Sequence, residues 1–249
     1  MQIKKTSEIW EYDGSFSGFL TLVYHAFQKQ QFPEMIVMPD TAIESLFFSH
    51  WIETDERLAK RIYTRLNERL RKENSQFIID GFNCSAKEKE RCLLDAILIA
   101  LESKDLLTNH LGHQSILTLH NSIKALFSEV HLFTGFVRFE YVGELLYSSI
   151  APKHFSLPYL CPHFAHRYPK ETLMIYDETH HLLGIIEKGH IRFVENSDPP
   201  EFNTDDTEQN IQNNWQTFLN AVTIKERKNE QLQLSHLPKR YRGHMIDFN

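Results

Sequence analysis

The hydrophobic periodicity of the chain changes at Thr134-Gly135, and that change limits the fold more than any other feature. Upstream, apolar residues recur at three- and four-residue spacing, as they do on helices with one buried face. Phe16, Phe19, Leu20, Val23 and Phe27 follow this pattern behind the turn signal Asp13-Gly14 and the capping residue Ser15. Leu58, Ile62, Leu66 and Leu70 repeat it within residues 55–73, and Ile116, Leu119, Ile123 and Phe127 within residues 114–127. Between these, Ser85 and Glu88 form a capping box that predicts a helix carrying Leu93, Leu94, Ile97, Leu98 and Leu101. A single β-prone run, residues 9–12, precedes the helices.

Downstream of the change, β-prone runs cover residues 136–142, 145–150, 172–176, 182–187 and 191–195, with hairpin-compatible turns at 177–181 and 188–189. A short helix is expected over residues 159–168, with Pro158 or Pro162 near its start. Residues 196–209 read as an acidic surface linker, and Ile211, Trp215, Phe218, Leu219 and Val222 mark a last amphipathic helix. No parallel βαβ rhythm is visible. The expectation is therefore an α+β fold: a mostly helical N-terminal part, a small antiparallel sheet in the second half, and a C-terminal helix and basic tail packed on it. The chain, 1–249, reads as one unit without internal repeats, divisible into a mainly helical part at 1–132 and an α+β part at 133–249.

At 249 residues and 41% hydrophobic content the chain can bury one large core or two smaller ones. Its longest apolar stretch, residues 93–101, is interrupted by Asp95 and falls short of the roughly 20 residues a membrane span requires, so no membrane association is expected. The N-terminus has two lysines but no apolar core of a secretory signal, which predicts a cytoplasmic location. Cys84, Cys92 and Cys161 lack CxxC spacing, which fits a reducing compartment and argues against a disulfide framework.

Charge gives the first functional signal. The net charge is −6, yet residues 224–241 gather Lys225, Arg227, Lys228, Lys239 and Arg240 around His236. A local reversal of sign points to an anionic partner, against the plainer reading of a solvated helix end. A second basic feature is the row Arg57, Arg61, Arg65 and Arg69, which can steer a nucleic-acid backbone; Glu56, Glu68 and Glu73 offer local ion pairs, so a solvated face is the preferred reading there.

Several chemistries are excluded by spacing. The sequence has no GxGxxG, no GxxxxGK[ST], no HExxH and no CxxxCxxC, so the chain is not itself a P-loop or radical-SAM enzyme, and no resident cofactor is expected. Gly14 to Gly18 has phenylalanine where a nucleophile elbow needs serine. The sharpest metal candidate, Cys161, His163 and His166 with His154, His180 and His181 elsewhere, has ligand types that suit zinc but an unusual spacing, and metal binding is disfavoured. Glu140 and Glu144 read as outward-facing strand residues.

Three blocks, taken in order, resemble one family. They are Tyr12 to Phe16 with Gly18 to Leu20; Leu157 to Leu160 with Pro162 to Ala165, Arg167 and Tyr168; and Ile224 to Asn229 with Leu232, Gln233 and Leu237 to Tyr241. The chain is similar, over nearly its whole length, to the family of probable DNA metabolism proteins, a domain of unknown function whose members accompany a radical-SAM protein assigned to DNA modification or repair. In some relatives a similar domain is joined to a uracil-DNA glycosylase. The chain departs from the family pattern at Cys161, usually a small residue, at His166, usually arginine, and at Arg242, commonly aromatic. The first two departures weaken the metal reading, and the third removes one aromatic available for base stacking.

The resemblance implies DNA repair or modification, with DNA and the radical-SAM iron-sulfur protein as partners. Its blocks suit an anion site. Arg227 and Arg240 can fork onto a phosphate, Lys225, Lys228 and Lys239 act as point charges, and Asn229, Gln233 and Tyr241 can orient a ligand beside Arg167. His163 and His236 can donate to phosphate or carry a proton, which makes them the candidate acid/base residues. Three functions follow as expectations: an accessory or processing protein of DNA repair, an enzyme acting on a modified base or nucleotide, and an interaction module that docks on an acidic partner.

Overall fold

The structure, a computed structural model, describes residues 4–39, 49–200, 206–224, 229–242 and 245. The chain forms two compact units, Met1–Ala125 and Leu126–Asn249, and the boundary falls inside one long helix.

In the first unit the Ser15 hydroxyl accepts a hydrogen bond from the Gly18 amide at 2.9 Å and so starts α1 (Phe16–Lys29), which buries Phe19, Leu20, Leu22 and Val23. α1 connects β1 (Lys4–Glu11) to β2 (Gln31–Val37), and the two strands pair in parallel. β3 (Ser49–Trp51) pairs in parallel on the other side of β1, giving the order β2-β1-β3. A parallel βαβ unit is thus present where none was expected. Its second strand carries Pro33, which cannot donate to a ladder and is tolerated because β2 is an edge.

α2 (Glu56–Arg69) is capped by Asp55, whose carboxylate accepts from the Leu58 amide. The helix expected over residues 55–73 breaks at Leu70, which adopts an extended conformation and turns into the core, and α3 (Lys72–Phe82) starts afresh. α4 (Lys89–Ser103) begins after Glu88, which sits in the left-handed region at φ 54° with no side-chain cap. The expected capping box does not form, because that backbone conformation places Glu88 outside the helix instead of in its first turn. The core of this unit gathers Trp10, Tyr12, Phe19, Leu93, Leu94, Ile97, Ile116 and Leu119, and the Tyr12 hydroxyl donates to buried Glu90 at 2.9 Å.

α5 (Gln114–Phe136) runs through the start of the expected strand 136–142. Leu126, Val130, Phe133 and Phe136 keep helical spacing, and burial of that stripe overrides the β-propensity of its aromatic end. The second unit is built on five strands in sequential order: β4 (Glu140–Val142), β5 (Leu145–Ile150), β6 (Thr172–Asp177), β7 (Leu182–Glu187) and β8 (His190–Val194). β4-β5, β6-β7 and β7-β8 are antiparallel hairpins; in the last, Lys188 at φ 50° and Gly189 at φ 81° supply two left-handed turn residues.

β5 and β6 are parallel, joined through α6 (Leu157–Arg167), so the sheet is mixed and not purely antiparallel. A parallel pair needs a crossover, and the proline-rich stretch that looked like an isolated short helix is that crossover. α6 places Leu157, Leu160, Cys161 and Phe164 on the sheet. Gly184 on β7 makes room: a Cβ there would come 2.7 Å from the Cys161 sulfur.

α7 (Asp206–Val222) keeps Ile211, Trp215, Phe218 and Val222 exposed. α8 (Glu230–His236) leads into a 3₁₀ turn, Lys239–Tyr241, and the tail meets the core through Leu237 and Tyr241. No described helix is long and apolar enough to cross a membrane.

Candidate anion-binding site

Glu129 lies on the same stripe of α5 as Leu126 and Phe133, so the helix delivers a carboxylate into a position otherwise apolar. Its side chain is fully buried. A buried charge is tolerated only where donors replace water, and the loop between β5 and α6 supplies them. The Lys153 amide donates to Oε2 at 3.0 Å, the His154 amide to Oε1 at 2.9 Å, and the Ser156 hydroxyl to Oε1 at 2.8 Å.

The fourth neighbour is a C-terminal arginine. Arg240 Nη1 stands 3.6 Å from Glu129 Oε2, while the side chain remains 48% exposed. Its Nη2 donates to the Tyr241 hydroxyl at 2.7 Å, and the guanidinium lies 4.7 Å from the centroid of that ring. Tyr241 in turn is buried, edge-on to Phe133 at 4.9 Å, and burial raises its hydroxyl pKa. The arginine is therefore held from both sides, by a carboxylate beneath and by a ring sunk in the core. A guanidinium has five N–H donors, and those facing solvent stay available to an anion.

A second carboxylate is close in sequence to α6. Asp177, fully buried at the end of β6, accepts from the Thr179 and His180 amides at 3.0 Å each, and its other oxygen lies 2.7 Å from His180 Nδ1. An acceptor-only carboxylate fixes the proton on Nδ1 and leaves Nε2 as the basic nitrogen. The imidazole also rests edge-on against Phe155 at 5.3 Å. His154 is buried, and burial lowers its pKa; Glu129 opposes the shift, whereas Lys153, Arg240 and His180 reinforce it, so these groups share one electrostatic neighbourhood.

The residues singled out from sequence divide clearly. Lys225, Arg227 and Lys228 lie outside the described residues. Asn229 caps α8, its side-chain oxygen accepting from the Leu232 amide at 3.0 Å, so the cap fixes the side chain through Oδ1. Gln233, His236 and Lys239 are exposed. Arg240 and Tyr241 come together, with the tyrosine as anchor and not as a ligand-facing group. On α6, His163 and Arg167 are exposed one turn apart, His163 against Phe164 and Arg167 over the Tyr168 ring. Neither His163 nor His236 has a carboxylate partner among the described residues.

The disfavoured metal set, Cys161, His163 and His166, stays apart. Cys161 faces Gly184 and Leu157 in the core while His163 and His166 face solvent, so the three do not converge. Among the described residues no group of three or more His, Cys, Asp or Glu is arranged to hold a metal ion. Burial pushes the Cys161 thiol up to about 12.

Sequence reasoning passed over Glu129, and it weighed His180 only as a metal ligand, without Asp177. Glu129 had a legible signal, a charge on an apolar stripe; the Asp177–His180 pairing depends on a turn geometry that spacing alone does not fix.

These features define an α+β protein whose second unit fixes a solvent-facing arginine over a buried carboxylate. The chain belongs to DUF4130, a family described as a domain of unknown function, whose model matches residues 87–247. That span contains Glu129, His154, Asp177, His180 and Arg240. No curated protein and no solved structure matches the chain.

Proposed function

We propose that the protein binds nucleic acid, DNA in particular, through its basic C-terminal segment, and acts as an accessory or processing protein of DNA repair or modification beside a radical-SAM iron-sulfur enzyme. The observation that carries the binding reading is the mounting of Arg240. A guanidinium held by Glu129 and Tyr241 has already lost much of its rotamer freedom, so contact with a phosphate costs less entropy than it does for a free surface arginine. Lys239 stands beside it, and the sequence places Lys225, Arg227 and Lys228 in the same segment.

Salt-titrated fluorescence anisotropy with single- and double-stranded DNA tests the reading. Arg227→Ala with Arg240→Ala is expected to weaken binding and to flatten the dependence of log K on log salt by between one and two units. Unchanged affinity and slope refute it. Co-purification with a radical-SAM protein from the same genome, retained after nuclease treatment, tests the partnership.

A second reading, an enzyme acting on a modified base or nucleotide, draws support from the 2.7 Å contact between His180 and Asp177. It moves the acid/base role from His163 or His236 to His180, because of these three imidazoles His180 alone has a carboxylate partner among the described residues. Turnover of damaged oligonucleotides that disappears in His180→Ala and survives in His236→Ala is the expected result.

A further inference from the structure

α2 carries five basic residues against two acidic ones in a chain of net charge −6. Arg57, Arg61, Arg65 and Arg69 are all exposed, and none has a carboxylate within ion-pair distance among the described residues. The local pairs that Glu56, Glu68 and Glu73 offered in the sequence do not form; Glu56 accepts from Ser17 instead. Four guanidinium groups at i, i+4 spacing, without ion pairs among the described residues, advance about 6 Å per step and span about 18 Å. That step is comparable to the separation of neighbouring phosphates along a nucleic-acid strand.

Beside the row lies a cleft of about 340 Å³. Val23 and Phe27 of α1 and Ile62 and Leu66 of α2 form its apolar walls, and Arg65 and Arg69 stand on its rim. Tyr24 adds a ring that Arg61 covers at 5.8 Å, and the Tyr24 hydroxyl and the Gln28 amide bring uncharged donors and acceptors to the lining. The volume matches a single small-molecule-sized group, not the continuous groove of three turns that an acidic amphipathic helix requires. A lone anionic amphiphile accounts for the rim pair but leaves Arg57 and Arg61 unexplained.

We propose that the first unit binds single-stranded nucleic acid along α2, with successive phosphates on Arg57, Arg61, Arg65 and Arg69 and one unstacked base in the cleft. A single strand fits better than a duplex, because a paired and stacked base cannot enter an apolar cleft. This shares the nucleic-acid reading of the proposed function but rests on different residues; the arginine row lies outside the family match at 87–247, and Ile97 and Leu101 of α4, which complete the cleft, lie within it.

The test uses the full chain and a 20-nucleotide single strand carrying 2-aminopurine and an end label, measured by anisotropy and base emission at several salt concentrations. Arg61→Ala, Arg65→Ala and Arg69→Ala together are expected to weaken binding at least tenfold and to reduce the salt slope by about 2. Leu66→Trp, a change at a half-buried position that fills the cleft, is expected to abolish the 2-aminopurine emission change and leave the slope intact. Circular dichroism confirms that each variant is folded. A triple variant that binds like the wild type, or a Leu66→Trp protein that keeps the emission change, overturns the proposal. So does a glutamate-rich helical peptide that binds through the same arginines while the oligonucleotide does not. Arg240→Ala is measured in parallel: loss there with a normal triple variant removes this inference and spares the proposed function, and the reverse result does the opposite.

Discussion

Replacing Glu129 by glutamine keeps the shape of the side chain and removes its charge, which isolates what the carboxylate does. Oε1 serves the His154 amide and the Ser156 hydroxyl; Oε2 serves the Lys153 amide and Arg240. Whichever oxygen becomes NH₂, it then faces a backbone N–H. The cheaper orientation puts the NH₂ toward His154 and lets the Ser156 hydroxyl rotate to accept. That still removes one buried bond to a charged acceptor, about 1.5–3 kcal/mol. The Arg240 pair, at 3.6 Å and 48% exposed, adds no more than about 1 kcal/mol after solvent screening. The expected cost is about 1.5–4 kcal/mol, and Glu129→Ala exceeds it because three buried donors lose their acceptor.

Because a chain of two compact units need not melt in one step, hydrogen exchange of the α6 amides is a sharper assay than a single melting curve. The amides of Leu160 and Cys161 lie beyond the directly perturbed loop. Their protection is expected to fall by about 10- to nearly 1,000-fold where exchange follows unfolding of the unit. Protection within twofold of the wild type, with an unchanged denaturant midpoint, refutes the claim that the carboxylate holds the loop to α5.

Gly184→Ala puts a methyl group 2.7 Å from the Cys161 sulfur and is expected to cost about 1–3 kcal/mol; adding Cys161→Ala removes the obstruction, so a double-mutant cycle by urea denaturation is expected to show a coupling that favours the pair. The His154 pKa is lowered from 6.5 by burial, so the unfolded chain binds the proton more readily than the folded one; stability present above pH 6.5 is expected to fall as the pH drops through the folded-state value, and His154→Gln to flatten that slope in pH-dependent denaturation. Cys84 and Cys161, both pushed up to about 12 by burial, are expected to resist iodoacetamide at pH 8 until denaturant is added, as read by mass spectrometry.

Local rules read much of this fold from the sequence. The Ser15 cap, the apolar stripes of α1, α4 and α5, and the hairpins β6-β7-β8 follow from capping chemistry, helical spacing and turn residues, all of which act over a few residues. The parallel pairs β1-β2 and β5-β6 did not show. Parallel partners are far apart in sequence, and β2 disguises itself with Pro33 while α6 does so with Pro158 and Pro162. Burial also decided where α5 ends, carrying it to Phe136 against the β-propensity of its aromatic residues.

The site divides in the same way. A basic segment near the C-terminus and an arginine row on a helix are legible in the acidic chain before it folds, because charge and helical spacing are properties of order along the chain. Which of these cations are held, and by what, follows from the packed fold alone. Glu129 comes to Arg240 across 111 positions, Tyr241 is an anchor and not a ligand contact, and Cys161 turns away from the histidines that share its motif. Partners of that kind are chosen by packing and by the need to satisfy a buried charge, and neither is written in local spacing.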